Sequence, residues 1–147
     1  NLFVVIGWST WEREEWLIDD VYYQINASGT DIVPDSHNEK YKEYVSSVNW
    51  RHKTNQAHAD IVELHEWLDT NGVKHIFFNG NNNFSSIHKK YDWGDSYINP
   101  YDKFSYNDYL VKEGIHPFTS KSYHFGEDGH TLWAKYMLKF IVKNKLI

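Results

Sequence analysis

The sequence predicts an α/β fold, a layered domain around a small parallel sheet, and three stretches carry that prediction. "LFVVIG" is a run of five apolar residues closed by Gly7, the pattern of a strand buried on both faces, which belongs to a parallel sheet covered by helices. "VKHIFFNG" is a second such run. It follows a helical segment and the turn Asn71-Gly72, so helix, turn and strand form the second half of a βαβ unit. "GHTLWAKYMLKFIVKNK" places Leu132, Trp133, Tyr136, Met137, Phe140 and Ile141 on one stripe of a closing amphipathic helix. At 147 residues the chain suits a single domain spanning 1–147, without internal repeats or low-complexity tracts.

Between these anchors the chain reads element by element. From Ser9 to about Tyr23 it reads as a helix, entered through Ser9-Thr10-Trp11-Glu12, which matches the S-x-x-E capping box. "NASGTDIVPDSHN" is a loop punctuated by Gly29 and Pro34, with a short strand at Asp31–Val33. The stretch from Glu39 to Thr70 is a long helical region, broken near Thr54–Asn55, with Ala57, Ile61, Leu64 and Leu68 at helical steps in its second half. Residues 79–122 are polar and aromatic with little periodicity. That is too long for an inert connector, so functional surface and short helices such as "YNDYLVKEG" are expected there.

Composition narrows the function. Hydrophobic residues make up 41% and aromatic residues 18%, so rings build much of the interior, and surface tyrosines suit flat ligands such as sugars or bases. A net charge of -5 opposes a nucleic-acid partner, and the lysines of "KFIVKNKLI" sit where cations favour a helix end. The lack of cysteine removes disulfides, thiol catalysis and Cys-ligated zinc. No apolar run approaches the ~20 residues that span a bilayer, so no membrane partner is expected, and the compartment is left open. His58 and His65 share a helical face with acids nearby, but "HEWLD" lacks the second histidine of a zincin. Neither a metal nor a cofactor is expected. "WGDSY" contains a literal Gly-Asp-Ser, Gly94–Ser96, without an apolar strand before it, and reads as a turn.

Ser9 stands two residues after Gly7 at a strand end, the place where open α/β sheets collect ligands. Its hydroxyl has two readings, a helix cap or a nucleophile beside free backbone N–H groups. A nucleophile needs a base. In "SYHFGEDGHTLWA", His124 precedes the final helix by a short glycine-punctuated loop and projects over the same sheet edge, whereas His130 at the helix start is structural. Arg13, four residues after Ser9 on the expected helix, either binds a substrate carboxylate or phosphate or pairs with a neighbouring acid.

"VVIGWS" and "HFGEDGHTLWA" resemble the first and last blocks of the SGNH, or GDSL-like, hydrolases. The resemblance implies a three-layer α/β/α, flavodoxin-like fold and acyl-ester hydrolysis, with Ser9 as nucleophile, His124 as base and the Ser9 N–H as one oxyanion donor. It also implies a Gly-x-Asn-Asp block, for which "GNNN" at Gly80–Asn83 is the candidate, with Asn79 or Asn82 as donor; the same cluster is ordinary turn chemistry. Two positions depart from the family. Trp8 replaces the aspartate before the serine, and Lys121 occupies the place of the acid three residues before the histidine, so Asp128, Glu127 or a backbone carbonyl would have to orient the imidazole. The arrangement also resembles small SGNH-like proteins of tailed bacteriophages. The expectation is therefore hydrolysis of an acyl or acetyl ester, on a small molecule or a carbohydrate. The alternative is an inactive SGNH-like module that binds a glycan or assembles into a virus particle.

Overall fold

In the computed structural model, which describes residues 2–26, 33–119 and 124–147, the chain runs β1 (Phe3–Trp8), β2 (Glu14–Ile18), β3 (Val21–Ile25), α1 (Asn38–Ser47), α2 (Trp50–Thr70), β4 (Lys74–Asn79), α3 (Tyr106–Lys112) and α4 (Glu127–Lys143). The fold is mixed α/β: helices, a two-stranded parallel sheet β1-β4 and a separate antiparallel pair β2-β3. Phe3 to Trp8 pair in unbroken register with Lys74 to Asn79. On its other side β4 bridges Tyr97 in parallel, with the Phe77 N–H on the Ser96 carbonyl at 2.8 Å and the Ile98 N–H on the Phe77 carbonyl at 2.9 Å.

β4 therefore takes the inner place, and alternation sends its side chains into two cores. Phe77 packs with Ile61 and Leu68 of α2, while Ile76 packs with Trp133 and Ile141 of α4. The expectation that β1 is buried on both faces is corrected. Its residues are half-buried or exposed, Val5 by 43%, because the helices lie over β4. Gly7 has a packing reason: a Cβ there would fall 2.4 Å from Cζ of Phe78, its register partner, whose ring also lies against Trp133.

The helix expected over Ser9 to Tyr23 is corrected to a β-hairpin. Trp16, Ile18 and Ile25 are buried while Leu17, Tyr22 and Gln24 are exposed, a period of two that places one face on a core. Asp19 and Asp20, with φ of 49° and 61°, form the two-residue turn whose twist matches paired strands. The hairpin packs on Val33 and on Tyr41 and Tyr44 of α1. Lys40 lies 4.2 Å over the Trp16 ring, and the Tyr44 hydroxyl donates to the Glu12 carbonyl. Burial, aided by Glu14 and Glu12, pushes the Tyr44 pKa up to about 12, so it remains a donor. The strand read at Asp31–Val33 falls largely outside the described residues. The long helical region breaks at Val48-Asn49 rather than near Thr54–Asn55, because the Asn49 side chain caps α2 by accepting from the His52 N–H at 3.0 Å.

Residues 84–101 have almost no regular structure, and rings and the Tyr101 hydroxyl hold much of their path. Tyr101 Oη accepts from the Tyr91 N–H at 2.5 Å and the Trp93 indole at 2.9 Å. It also lies 2.9 Å from His58 Nε2 and 3.2 Å from the Tyr91 carbonyl. Two fixed donors occupy both lone pairs, so the hydroxyl proton goes to the nearer acceptor, His58 Nε2, and His58 is neutral with its proton on Nδ1. His65 makes a second link. Its Nδ1 lies 2.7 Å from His75 Nε2, while His75 Nδ1 donates to the Val73 carbonyl at 2.9 Å. Trp93 packs edge-on to both His58 and His65. Burial lowers the pKa of both, reinforced at His65 by His75 and opposed by Asp69 and Glu66.

Folded-state pKa values below the ordinary ~6.5 mean that the unfolded chain takes up these protons first as the pH falls. The stability they contribute is complete above ~6.5 and declines as the pH drops below it toward the folded values. Denaturant titrations between pH 7.5 and 5 should show this decline. His58→Gln, whose side-chain oxygen accepts the tyrosine proton without titrating, should flatten it; an unchanged slope would contradict the assignment.

Candidate functional site

The carboxyl ends of β1 and β4 meet at the Gly80 N–H, which donates to the Trp8 carbonyl at 2.7 Å and extends the ladder one rung beyond the strands. A Cβ on Gly80 would lie 2.9 Å from that oxygen and 3.8 Å from Ser9 Cα, so the turn at Gly80–Asn83 abuts the residue after Trp8. Ser9 is exposed there. On its other side Trp11 is pinned, with its indole N–H on Thr54 Oγ1 at 3.1 Å and its ring stacked on Phe84 at 4.8 Å and 10°. Ser9 is thus held between two anchored neighbours at a strand end.

The capping reading of Ser9 is corrected, since no helix follows it. Glu12, the other half of the expected capping box, is buried with 2% exposure, and its Oε2 has no partner among the described residues. Arg13 has no helical face to share with Ser9. It is exposed in the irregular segment before β2, and its Nε–H donates to Thr10 Oγ1 at 3.3 Å.

Asn79 and Asn82 separate in role. Asn79 ends β4 with 1% exposure; its Oδ1 accepts from the Tyr97 hydroxyl at 2.8 Å, and Nδ2 is buried without a partner among the described residues. Burial raises the Tyr97 pKa, which keeps that donor in place. Asn79 braces the strand end, whereas Asn82 lies half-buried in the turn itself. Asn83 Oδ1 accepts the Ser85 N–H at 3.1 Å, an Asx turn that fixes the loop.

The last block reaches this edge through α3. Ser105 caps α3, with Oγ accepting from the Asp108 N–H at 3.0 Å, and the Asn107 N–H donates to the Gly80 carbonyl at 3.1 Å. The neighbouring Tyr106 hydroxyl lies 3.1 Å from His130 Nδ1, and the Tyr106 ring receives Phe125 edge-on at 5.4 Å. His130 thus joins the start of α4 to α3 through Tyr106. His124, immediately before Phe125, is exposed, and its carbonyl accepts the Phe118 N–H at 3.0 Å. Asp128 Oδ1 accepts the Gly129 N–H at 2.8 Å in the first turn of α4, while Glu127 is exposed. Lys121 lies outside the described residues.

Ser9, Gly80 and the N-terminus of α3 are therefore in one contact chain, and His124 adjoins it in sequence, next to Phe125, whose ring packs on Tyr106. Sequence reading missed Tyr106 and Asn107 as parts of this edge. The signal was present in Ser105-x-x-Asp108, a helix-start pattern that places both residues at a terminus. Chemically, Ser9 presents an exposed hydroxyl beside an asparagine-rich turn, with the Gly80 N–H already committed to the Trp8 carbonyl. His58 is half-buried and His65 buried among rings, with Tyr101 and His75 as their partners.

Gly80→Ala should destabilise the protein by about 1–3 kcal/mol, because backbone rather than a movable side chain opposes the added methyl. Chemical denaturation measures this, and unchanged stability would contradict the close approach. Comparison of the chain with protein-family models, curated proteins and solved structures finds no match.

Proposed function

We propose that this chain is a serine hydrolase of SGNH type, built on a three-layer α/β/α, flavodoxin-like plan, that cleaves an acyl or acetyl ester carried on a carbohydrate. The observation that carries the reading is the abutment of Gly80 on Trp8 and Ser9, which puts the Gly-x-Ser segment beside the Gly-Asn turn. The separate cores on the two faces of β4 support the layered plan.

In the reaction Ser9 Oγ attacks the ester carbonyl while His124 accepts the hydroxyl proton. The Ser9 N–H and the Asn82 amide donate to the tetrahedral oxygen. Collapse expels the alcohol, which takes the proton from His124, and water then hydrolyses the acyl-serine by the same route to release the acid. The imidazole is oriented by Glu127, by the second oxygen of Asp128 or by a backbone carbonyl. Arg13 is an exposed cation on the Ser9 segment that would meet an anionic group of the substrate. A second reading, an inactive glycan-binding or phage-particle module on the same fold, is favoured by one observation, Lys121 in the place of the family's acid.

Turnover of a nitrophenyl acetate and of an acetylated oligosaccharide separates the two. The enzyme reading predicts that Ser9→Ala lowers kcat/KM by at least about 10⁴-fold and His124→Ala by about 10²–10⁴-fold, with both variants folded by circular dichroism. A folded wild-type protein without turnover would overturn it in favour of the module.

A further inference from the structure

A groove of about 580 Å³ runs between α2 and residues 87–91, within the range of small-ligand sites. Its apolar lining is Val62 and Ala59 from α2 and Ile87 from the opposite wall. Arg51, Lys89 and Lys90 stand on its rim as cations, with Glu63 and Glu66 as acids. Among the described residues none of the three cations has a carboxylate within ion-pair distance. The rim carries three cations against two acids, and in a chain of net charge -5 that local excess suits a ligand bearing an anionic group.

The opposite wall is built in advance. Tyr91 is fixed at its backbone N–H by the Tyr101 hydroxyl, and its own hydroxyl donates to Glu66 Oε1 at 3.3 Å. Lys90 lies 5.4 Å from the centre of the Tyr101 ring. The groove therefore combines cations, carboxylate acceptors and a positioned aromatic wall, at little ordering cost on binding. A nucleic-acid backbone offers Glu63 and Glu66 few hydroxyl donors, and DNA none, whereas each unit of an acidic sugar chain carries several beside its carboxylate. Those two carboxylates suit hydroxyl donors, and the three cations suit carboxylates.

We propose that this groove binds an acidic oligosaccharide, a hydroxyl-rich chain bearing carboxylate groups, with Arg51 and Lys89 on the carboxylates and Glu63 on the hydroxyls. The groove is set behind the ring pair of Phe84 and Trp11 that follows Ser9: His58, which lines it, packs edge-on to Phe84 at 5.0 Å. The inference concerns binding alone and holds for a hydrolase and for an inactive module alike, so its failure is distinct from a failure of turnover.

The experiment is calorimetric titration of the full chain with a hexamer of galacturonate, a neutral maltohexaose and a hexaglutamate peptide. The expected result is saturable binding of the uronate hexamer at least 10-fold tighter than either comparison ligand. The Arg51→Ala/Lys89→Ala double variant should weaken it at least 10-fold, and Glu63→Gln alone several-fold. All three positions are exposed, so circular dichroism should be unchanged; if the double variant does not fold, Lys89→Glu replaces it with the same expectation. Absence of uronate binding, equal binding of the neutral sugar, equal binding of the acidic peptide, or variants that bind as wild type would each overturn the proposal.

Discussion

The hydrogen bond from the Gly80 amide to the Trp8 carbonyl is the constraint on which the rest of the molecule depends. It ends a parallel register that begins at Phe3 and Lys74, two segments separated by the hairpin and both long helices. A parallel pair needs a long crossover, and the chain between them supplies it as a hairpin and two helices rather than as one helix. Its last rung fixes how β1 leaves the sheet. Because Gly80 carries no side chain, the two departing loops run against each other, and Ser9 emerges beside the asparagine turn. The Asn107 amide on the Gly80 carbonyl then draws α3 to the same spot, so one glycine contacts both the first block of the sequence and the region leading to the last.

Away from that rung, aromatic packing does the work that strand ladders do in larger sheets. Trp11 on Phe84, Phe84 on His58, His58 and His65 on Trp93, and His65 on His75 form a continuous series from the Ser9 segment across α2 to β4. Such pairs contribute roughly 0.5–1.5 kcal/mol each beyond the area they bury. The series explains how residues 84–101 keep a defined path with few backbone pairings. The single hydroxyl of Tyr101, saturated by two fixed donors and one imidazole, converts that packing into a specific conformation.

The legible parts of the sequence were those where periodicity and punctuation agreed. β4, with its helix and Asn71-Gly72 turn, and α4, with its stripe through Trp133 and Ile141, formed where the pattern placed them. The hairpin was not legible as one. Ser9-x-x-Glu12 copies a helix-start signal, yet the alternation of Trp16, Ile18, Tyr23 and Ile25 carried the opposite message across an Asp-Asp turn that lacks the usual glycine. Tyr97 and Ile98 were hidden for a different reason: a bridge of so few residues has no period to read. At the site, the placement of Ser9 just past the end of β1 followed from the apolar run that Gly7 closes. Burial of Asn79 did not, because it depends on Tyr97 arriving from eighteen residues away.

The functional reading rests on Ser9 being more reactive than an ordinary surface alcohol, through the neighbouring amides and through His124. Labelling with a serine-reactive fluorophosphonate, mapped by peptide mass spectrometry, tests this most directly. The account predicts a single adduct on Ser9 that His124→Ala suppresses. An unlabelled Ser9 in the folded protein, or labelling that ignores His124, would contradict it.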